Sequence, residues 1–153
     1  MKKMFSVLKW FFIVGVAYQA LIRIVRHFIK FPIPHFLANA IDNPLRRRAQ
    51  PPAEMPRRLG LRPGMTVLEI GPGNGHYTLE HARCVGTEGR VVALDIAPEI
   101  VARVQARAAA EGVTNLEAQV GDVHALPFED ATVDAVVLIT VIGELPDPDH
   151  ALA

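Results

Sequence analysis

The sequence predicts an α/β fold in which a parallel β-sheet is buried on both faces. Its 153 residues are enough for one domain, and half of them are hydrophobic, which is ample for a core. Four short apolar stretches are predicted to be buried strands, and stretches typical of helices follow the first two. The first strand continues directly into a turn with three glycines, as expected where a strand leads into a helix.

The first predicted strand and its turn carry the strongest signal. Residues 67–70 are mostly apolar, and Gly71, Gly73 and Gly75 follow them. Because glycine lacks Cβ, it allows positive φ and lets backbone N–H groups approach a ligand closely. Residues 76–84 are predicted to be helical, and the unpaired N–H groups at a helix start favour anionic groups. The turn is therefore predicted to hold a ligand, with a tight turn that holds none as the alternative.

The spacing of the glycines separates two classes of cofactor. A dinucleotide-binding turn has the pattern G-x-G-x-x-G, and His76 stands where its third glycine is required. The pattern from Glu69 to Gly75 is instead E-x-G-x-G-x-G. Here the chain resembles the class I S-adenosylmethionine (SAM)-dependent methyltransferases, most of all the ubiquinone/menaquinone-biosynthesis type, or methyltransferase type 11 domain. The resemblance implies that SAM is the cofactor and that Glu69 and the three glycines help to hold it.

Three further strands are predicted, at residues 90–94, 116–120 and 133–141. A helix rich in alanine is predicted over 98–111, between the second and third strands. The resemblance covers residues 63–153 and implies a Rossmann-like sheet in the order 3-2-1-4, the first four strands of a seven-stranded methyltransferase fold. Three strands of that fold would be missing, so we expect an incomplete, C-terminally truncated domain that binds SAM weakly and has low activity.

Acidic residues follow the second and third predicted strands. A carboxylate at Asp95 can accept hydrogen bonds from both ribose hydroxyls of a nucleoside, and Ile96 would face the adenine. Capping of the next helix is the alternative for Asp95. The resemblance implies that Asp122 accepts a hydrogen bond from the adenine amino group and that the backbone N–H of Val123 reaches the ring. A turn aspartate bonded to its own backbone is the alternative for Asp122.

Catalytic residues are not assigned by the sequence. Glu144 follows the fourth strand and is predicted to face either the acceptor and sulfonium or the solvent. His124 is interpreted as an exposed loop residue rather than a catalytic base. No His, Cys or Asp cluster has metal-ligand spacing, so no metal is predicted. The chain also departs from the Asn/Asp-Pro-Pro-aromatic motif of amine-directed methyltransferases, which disfavours DNA and protein acceptors.

The first part of the chain differs in charge from the rest. Residues 1–62 contain 12 Lys and Arg but 2 Asp and Glu, whereas residues 63–153 contain 4 and 14. This split predicts a basic arm that meets an anionic surface, joined to an acidic domain. Residues 1–30 are predicted to be a hydrophobic helix that anchors the protein to a membrane, because residues 10–22 carry no charge and a basic amphipathic stretch follows.

The mode of membrane attachment stays open at this point. The uncharged stretch is short for a spanning helix, which needs about 20 residues, so a spanning and an interfacial helix are both retained. A cleaved signal peptide and a helix packed on another part of the protein are the alternatives. More positive charges follow the stretch than precede it, which predicts that the C-terminal domain is cytoplasmic.

Residues 31–62 are predicted to be a basic linker with short helices, because prolines interrupt it repeatedly. Arg46, Arg47 and Arg48 form a run that is predicted either to bind lipid phosphates or to be solvated. The resemblance implies that a helix over 54–59 closes over the cofactor.

Together these observations predict a membrane-associated SAM-dependent methyltransferase. Its predicted partners are a membrane lipid surface and a small-molecule, lipid or quinone-like acceptor. Nucleic acid is not predicted, because the basic arm lacks interleaved aromatic residues. A non-catalytic, truncated membrane-bound fragment that binds SAM is the first alternative, and an NAD-binding oxidoreductase is the second.

Overall fold

The structure is a computed structural model, and it describes residues 10, 14–21, 44–126 and 128–151. The chain forms two compact units, Met1–Pro32 and Ile33–Ala153. In the first unit, residues 14–21 are helical and exposed. Most of the predicted anchor, residues 1–30, lies outside the described residues.

Among the described residues, no helix combines the length and the apolar character that crossing a bilayer requires. Membrane attachment through residues 1–30 therefore stays a prediction from the sequence.

The second unit carries the sheet and the helices around it. The strands are β1 (Thr66–Ile70), β2 (Arg90–Asp95), β3 (Leu116–Val120) and β4 (Ala135–Leu138). The α-helices are α1 (Pro44–Ala49), α2 (Met55–Arg58), α3 (His76–Val85), α4 (Pro98–Ala110) and α5 (Pro148–Ala151). Short 3-10 helices span Pro52–Glu54 and Ile142–Glu144.

The four strands form one parallel sheet in the order β3-β2-β1-β4, which confirms the predicted order. In the register, Val67 of β1 lies between Val91 of β2 and Ala135 of β4. The chain proceeds from β1 through β2 to β3 on one side, and then returns to place β4 on the other side of β1. In open sheets of this kind, ligands bind outside the carboxyl ends of the strands where the order reverses. The topology therefore points to the turn after β1.

Helices α3 and α4 lie on the same face of the sheet. Val91 and Ala93 lie on the same face of β2. Val91 packs against residues of α3, and Ala93 packs against residues of α4. Right-handed crossovers produce this arrangement, since both connections move across the sheet in one direction. The other face carries Leu68, Ile70, Val92 and Leu94, which pack against Val123 and Phe128 of the segment after β3 and against Val141, which follows β4. Both faces of the central strands are thus buried.

The fourth strand is shorter than predicted. It ends at Leu138 rather than at residue 141, and the chain then bends through Thr140, whose φ is +63°. Positive φ is unusual for a β-branched residue and is incompatible with a strand. The bend places the 3-10 helix Ile142–Glu144 beyond the carboxyl end of β4.

Candidate cofactor site

The carboxyl ends of β1, β2 and β3 meet at one edge of the sheet, and backbone hydrogen bonds tie their following segments together. Gly71 N donates to Leu94 O at 2.9 Å, which joins the turn after β1 to the end of β2. Gly121 N donates to Asp95 O at 3.0 Å, which joins the end of β3 to the same strand. The predicted site segments are therefore neighbours along one edge.

The three glycines of the turn differ in what surrounds them. A Cβ on Gly71 would overlap the side chain of Val141, so this position is filled by packing from the protein itself. At Gly73, with φ +56°, a Cβ would meet no atom within 4 Å. Gly75 is the residue before α3, and a Cβ there would lie 3.3 Å from Val104 Cγ2 of α4. Only Gly73 leaves the backbone open to an approaching ligand.

Helix α4 supports the turn from the side. Arg103 Nη1 donates to Asn74 Oδ1 at 2.7 Å, and Arg107 Nη1 donates to His76 Nδ1 at 2.7 Å. The two arginines are one helical turn apart, so both contact the glycine turn from one face of α4. These contacts fix the loop and the start of α3, where the helix dipole favours negative charge.

Glu69 lies in the interior rather than at the open edge. Its side chain is 2% exposed, and Oε2 lies 2.9 Å from Nδ1 of His81, which is completely buried on α3. Alternation along β1 turns Glu69 toward α3, whereas Leu68 and Ile70 face the opposite side. The carboxylate therefore joins β1 to α3 directly behind the glycine turn. A contact with the cofactor from this position would be indirect.

Asp95 stands at the end of β2 with one oxygen already bonded. Its Oδ1 accepts a hydrogen bond from Ala97 N at 2.9 Å, which tightens the turn before α4. The bond goes to the residue that precedes α4, so Asp95 is not itself the capping residue. Burial raises the pKa of Asp95, the backbone N–H of Ala97 opposes that shift, and the negative charge of Glu144 adds to it. Glu144 is therefore near enough to act on the charge at Asp95.

Asp122 bonds to the backbone of its own turn, which the sequence left open as the alternative to an adenine contact. Oδ1 of Asp122 accepts a hydrogen bond from His124 N at 2.9 Å, and the Nδ1 atom of the His124 ring lies 2.7 Å from the same oxygen. The side chain of His124 is 18% exposed, so it is partly buried rather than the exposed loop residue that the sequence predicted. Ile96 is exposed, and Val123 is partly buried against the cluster of Leu68 and Ile70.

Helix α1 reaches the same edge from the β4 side. The guanidinium of Arg46 lies 5.6 Å from the ring centroid of Tyr77, and its Nη2 donates to Thr140 Oγ1 at 3.2 Å. The hydroxyl of Tyr77 donates to Gln50 O at 3.0 Å. Arg46 thus contacts the start of α3 and the end of β4. The sequence reasoning missed this role, because an arginine that docks on a distant aromatic ring leaves no mark in residue spacing.

The predicted residues are therefore distributed in two groups. The structure places Gly73, Asp95, Ile96 and Asp122 along one accessible edge of the sheet. It buries Glu69 behind the turn and uses Gly71 and Gly75 for packing. In the part of the chain that the structure describes, no group of three or more His, Cys, Asp or Glu side chains could hold a metal ion.

A parallel sheet with a glycine turn open at its carboxyl edge, and with carboxylates on the next two strand ends, defines a domain that binds a nucleoside-containing cofactor. Residues 67–153 match the sequence model of a family described as a methyltransferase domain. This match covers more than half of the chain, which therefore belongs to the methyltransferase domain family. The cofactor of this SAM-dependent class is S-adenosylmethionine, as the family resemblance implied.

Individual relatives agree with this assignment. The chain is 40% identical over 94 residues to an uncharacterized protein of Mycobacterium tuberculosis, a match covering 61% of this chain and 32% of that protein. It is 36% identical over 95 residues to a ubiquinone/menaquinone biosynthesis C-methyltransferase of Teredinibacter turnerae, covering 61% of this chain and 38% of that enzyme. The chain thus matches about a third of the length of these curated relatives.

Solved structures show the same fold. The crystal structure of a SAM-dependent methyltransferase from Aquifex aeolicus superimposes with a TM-score of 0.73 at 29% sequence identity. The superposition covers 79% of this chain and 64% of that chain. The Rossmann-like methyltransferase fold of the sheet is therefore confirmed.

Proposed function

We propose that the protein transfers the methyl group of SAM to a small-molecule, lipid or quinone-like acceptor at a membrane surface. The observation that carries this proposal is the open backbone at Gly73 after β1, next to the strand whose end bears Asp95, with Asp122 after β3, the strand beyond it. Glycine at this position leaves space that a side chain would otherwise occupy. The two carboxylates supply acceptors for the hydroxyl and amino groups of a nucleoside.

The residues at this edge offer hydrogen-bond acceptors and an apolar surface that suit SAM. The remaining acceptor capacity of Asp95 suits the ribose hydroxyls, and exposed Ile96 offers an apolar surface to the adenine. Asp122 and the backbone N–H of Val123 suit the amino group and the ring of the adenine. Glu69 supports the turn indirectly through its contact with His81.

The chemistry requires little from the protein besides alignment. Bound SAM supplies a methyl group that its sulfonium already activates for displacement by an O, N or C nucleophile. The protein must hold the two reactants close and in line. The glycine turn and the strand ends orient the cofactor, and Arg46 and Tyr77 lie on the β4 side of this edge.

Membrane association and the acceptor class rest on the sequence. The basic arm of residues 1–62 and the uncharged stretch of residues 10–22 support binding to an anionic lipid surface. An apolar acceptor such as a quinone or a lipid would be found at that surface. The name of the Teredinibacter turnerae relative, which places it in ubiquinone/menaquinone biosynthesis, agrees with this class. The charge distribution supports a cytoplasmic location of the catalytic domain.

Calorimetric titration of the full chain with SAM tests the proposal. Asp95→Ala should weaken SAM binding by about 1.5–3 kcal/mol, because it removes a charged acceptor of hydrogen bonds. Glu88→Ala is the matched control, since it removes an exposed carboxylate in the turn before β2, at the opposite edge. Equal affinities of Asp95→Ala and wild type would remove Asp95 from the site, and tight binding of NADH without binding of SAM would contradict the proposed function.

A further inference from the structure

Both ring nitrogens of His124 face hydrogen-bond acceptors. Nδ1 lies 2.7 Å from Asp122 Oδ1, and Nε2 lies 3.0 Å from the backbone carbonyl oxygen of Asp147. A neutral imidazole carries one N–H and can satisfy only one of these acceptors, whereas an imidazolium carries two. The geometry is therefore that of protonated His124.

The carboxylates around this ring favour the same form. Asp122 faces it from the loop after β3, and Asp147 and His150 face it from the segment around the start of α5. The ring of His150 lies 5.5 Å from that of His124, and His150 N donates to Asp147 Oδ1 at 3.0 Å. The hydrogen bond to Asp122 raises the pKa of His124, and the carbonyl of Asp147 adds to that effect.

The hydrogen bonds also restrict the carboxylate of Asp122. One of its oxygens receives both the backbone N–H and the ring N–H of His124, which fixes the side chain relative to the end of β3. The second oxygen of the same carboxylate is the acceptor that suits an adenine amino group. A carboxylate that two hydrogen bonds already fix loses less conformational freedom when it binds a ligand.

We propose that His124, in its protonated form, is a positioning residue that holds the Asp122 carboxylate for the adenine end of the cofactor and ties the segment of Asp147 to that end. This inference rests on the proposed function, since it assigns the residue that orients one of the SAM contacts. His124 contacts no reacting atom, so its effect is on cofactor affinity.

The proposal has a defined pH window. The backbone and ring N–H groups of His124 lower the pKa of Asp122, so its carboxylate remains ionised until the pH falls below the usual aspartate range. The pKa of His124 is raised, so the bonded form persists above the usual histidine range and is lost as the pH rises through the raised value. The Asp122–His124 pair should therefore support SAM binding throughout this range, and SAM affinity should decrease as the pH rises through the pKa of His124.

Calorimetric titration of the full chain with SAM between about pH 5 and 9 tests this inference. For wild type we expect affinity to fall about fivefold as the imidazolium loses its proton, the effect of roughly one hydrogen bond. His124→Gln should bind with the weaker affinity throughout, and His124→Arg, which remains charged, should keep the stronger affinity at alkaline pH. His150→Gln is the control and should retain the decrease. Protonation of the SAM amino group changes the affinity of every variant in the same way. The affinity of each variant is therefore compared with that of wild type at the same pH.

The possible failures are distinguishable. If wild type binds no SAM at any pH, the proposed function fails. If SAM binds but the affinity ratio of His124→Gln to wild type does not change with pH, this inference fails while the proposed function stands. If His150→Gln alone abolishes the decrease, the titrating group is His150 and the inference is again wrong. Thermal unfolding of each variant, measured at both ends of the range, separates loss of folding from loss of positioning.

Discussion

At the residue scale, the glycine turn shows that one motif can serve several physical needs. Gly71 makes room for Val141, Gly75 makes room for Val104, and Gly73 leaves open space. All three have positive φ, so each also has a backbone that L-residues rarely adopt. The motif therefore combines packing within the protein with access for a ligand, and the two needs can be separated by mutation.

Gly71→Ala should destabilise the fold more than Gly73→Ala. Both changes place a Cβ at positive φ, at a cost of about 1–2 kcal/mol, but Gly71→Ala adds overpacking against Val141, typically another 1–3 kcal/mol. Unfolding in urea measures the difference. Val141→Ala should relieve part of the loss in a double variant with Gly71→Ala, and additive losses in that double-mutant cycle would rule out the packing explanation. Gly73→Ala should instead reduce SAM binding while the protein remains folded.

Protonation of Asp95 should set the lower limit of the pH range in which SAM binds, called the acid limit below. Burial and the charge of Glu144 raise the pKa of Asp95, so its carboxylate becomes protonated at a higher pH than the usual value near 4. Protonation removes the charged acceptor, and SAM affinity should therefore fall as the pH decreases through the raised value. Calorimetry across the acidic range measures this limit. Glu144→Gln should move the limit to lower pH, and an unchanged limit would mean that the charge of Glu144 does not act on Asp95.

At the scale of elements, two helices outside the strand-turn-helix motif hold the site in place. Helix α4 contacts the glycine turn through Arg103 and Arg107. Helix α1 contacts the start of α3 and the end of β4 through Arg46, and Tyr77 bonds to the backbone just beyond α1. The short helix α1 has no buried residue of its own, so these contacts rather than a hydrophobic face attach it to the sheet edge.

Tyr77→Phe should loosen helix α1 without unfolding the domain. The change removes the hydrogen bond to Gln50 O, worth about 1 kcal/mol, and keeps the buried ring. Trypsin should then cleave after the arginines of residues 46–48 about fivefold faster, since local opening of α1 exposes them. Tyr18→Phe alters the other tyrosine of the chain and is the matched control, with cleavage expected at the wild-type rate. Identical cleavage of Tyr77→Phe and wild type would show that this bond does not hold α1.

At the scale of the whole molecule, the division of charge distinguishes the two ends of the chain. Residues 1–62 are strongly basic, and residues 63–153 are strongly acidic. The site segments all lie in the acidic part, whose carboxylates suit a sulfonium-bearing cofactor, and the basic part suits an anionic lipid surface. In the proposed membrane-bound state, the same asymmetry would keep the acidic domain from adsorbing to anionic lipid headgroups.

The full chain should bind vesicles that contain anionic phospholipid more strongly than vesicles of neutral phosphatidylcholine. Each basic residue near such a surface contributes about 1 kcal/mol, so the triple variant Arg23→Glu, Arg26→Glu and Lys30→Glu should lose most of the preference. A triple variant with the same change of charge outside the predicted anchor of residues 1–30, Arg57→Glu, Arg62→Glu and Arg90→Glu, is the control and should keep most of the preference. Flotation assays measure the bound fraction. Failure of the wild-type chain to float with either kind of vesicle would exclude membrane association.

The sequence by itself determined the positions of the first three strands, the glycine turn and the acidic residues at the strand ends. Apolar runs, glycine spacing and turn residues are local features, and each can be recognised within a few neighbouring positions. The family resemblance added the strand order 3-2-1-4, which the structure confirms.

Only the tertiary structure decided what these residues contact. The partner of Glu69 is His81, the space at Gly71 is filled by Val141, and Arg46 docks on Tyr77. Asp122 reaches the segment of Asp147 through the ring of His124. Such contacts join residues that are far apart in the chain or depend on side-chain orientation. Because they arise from packing in three dimensions, they leave no periodic pattern from which a sequence could predict them.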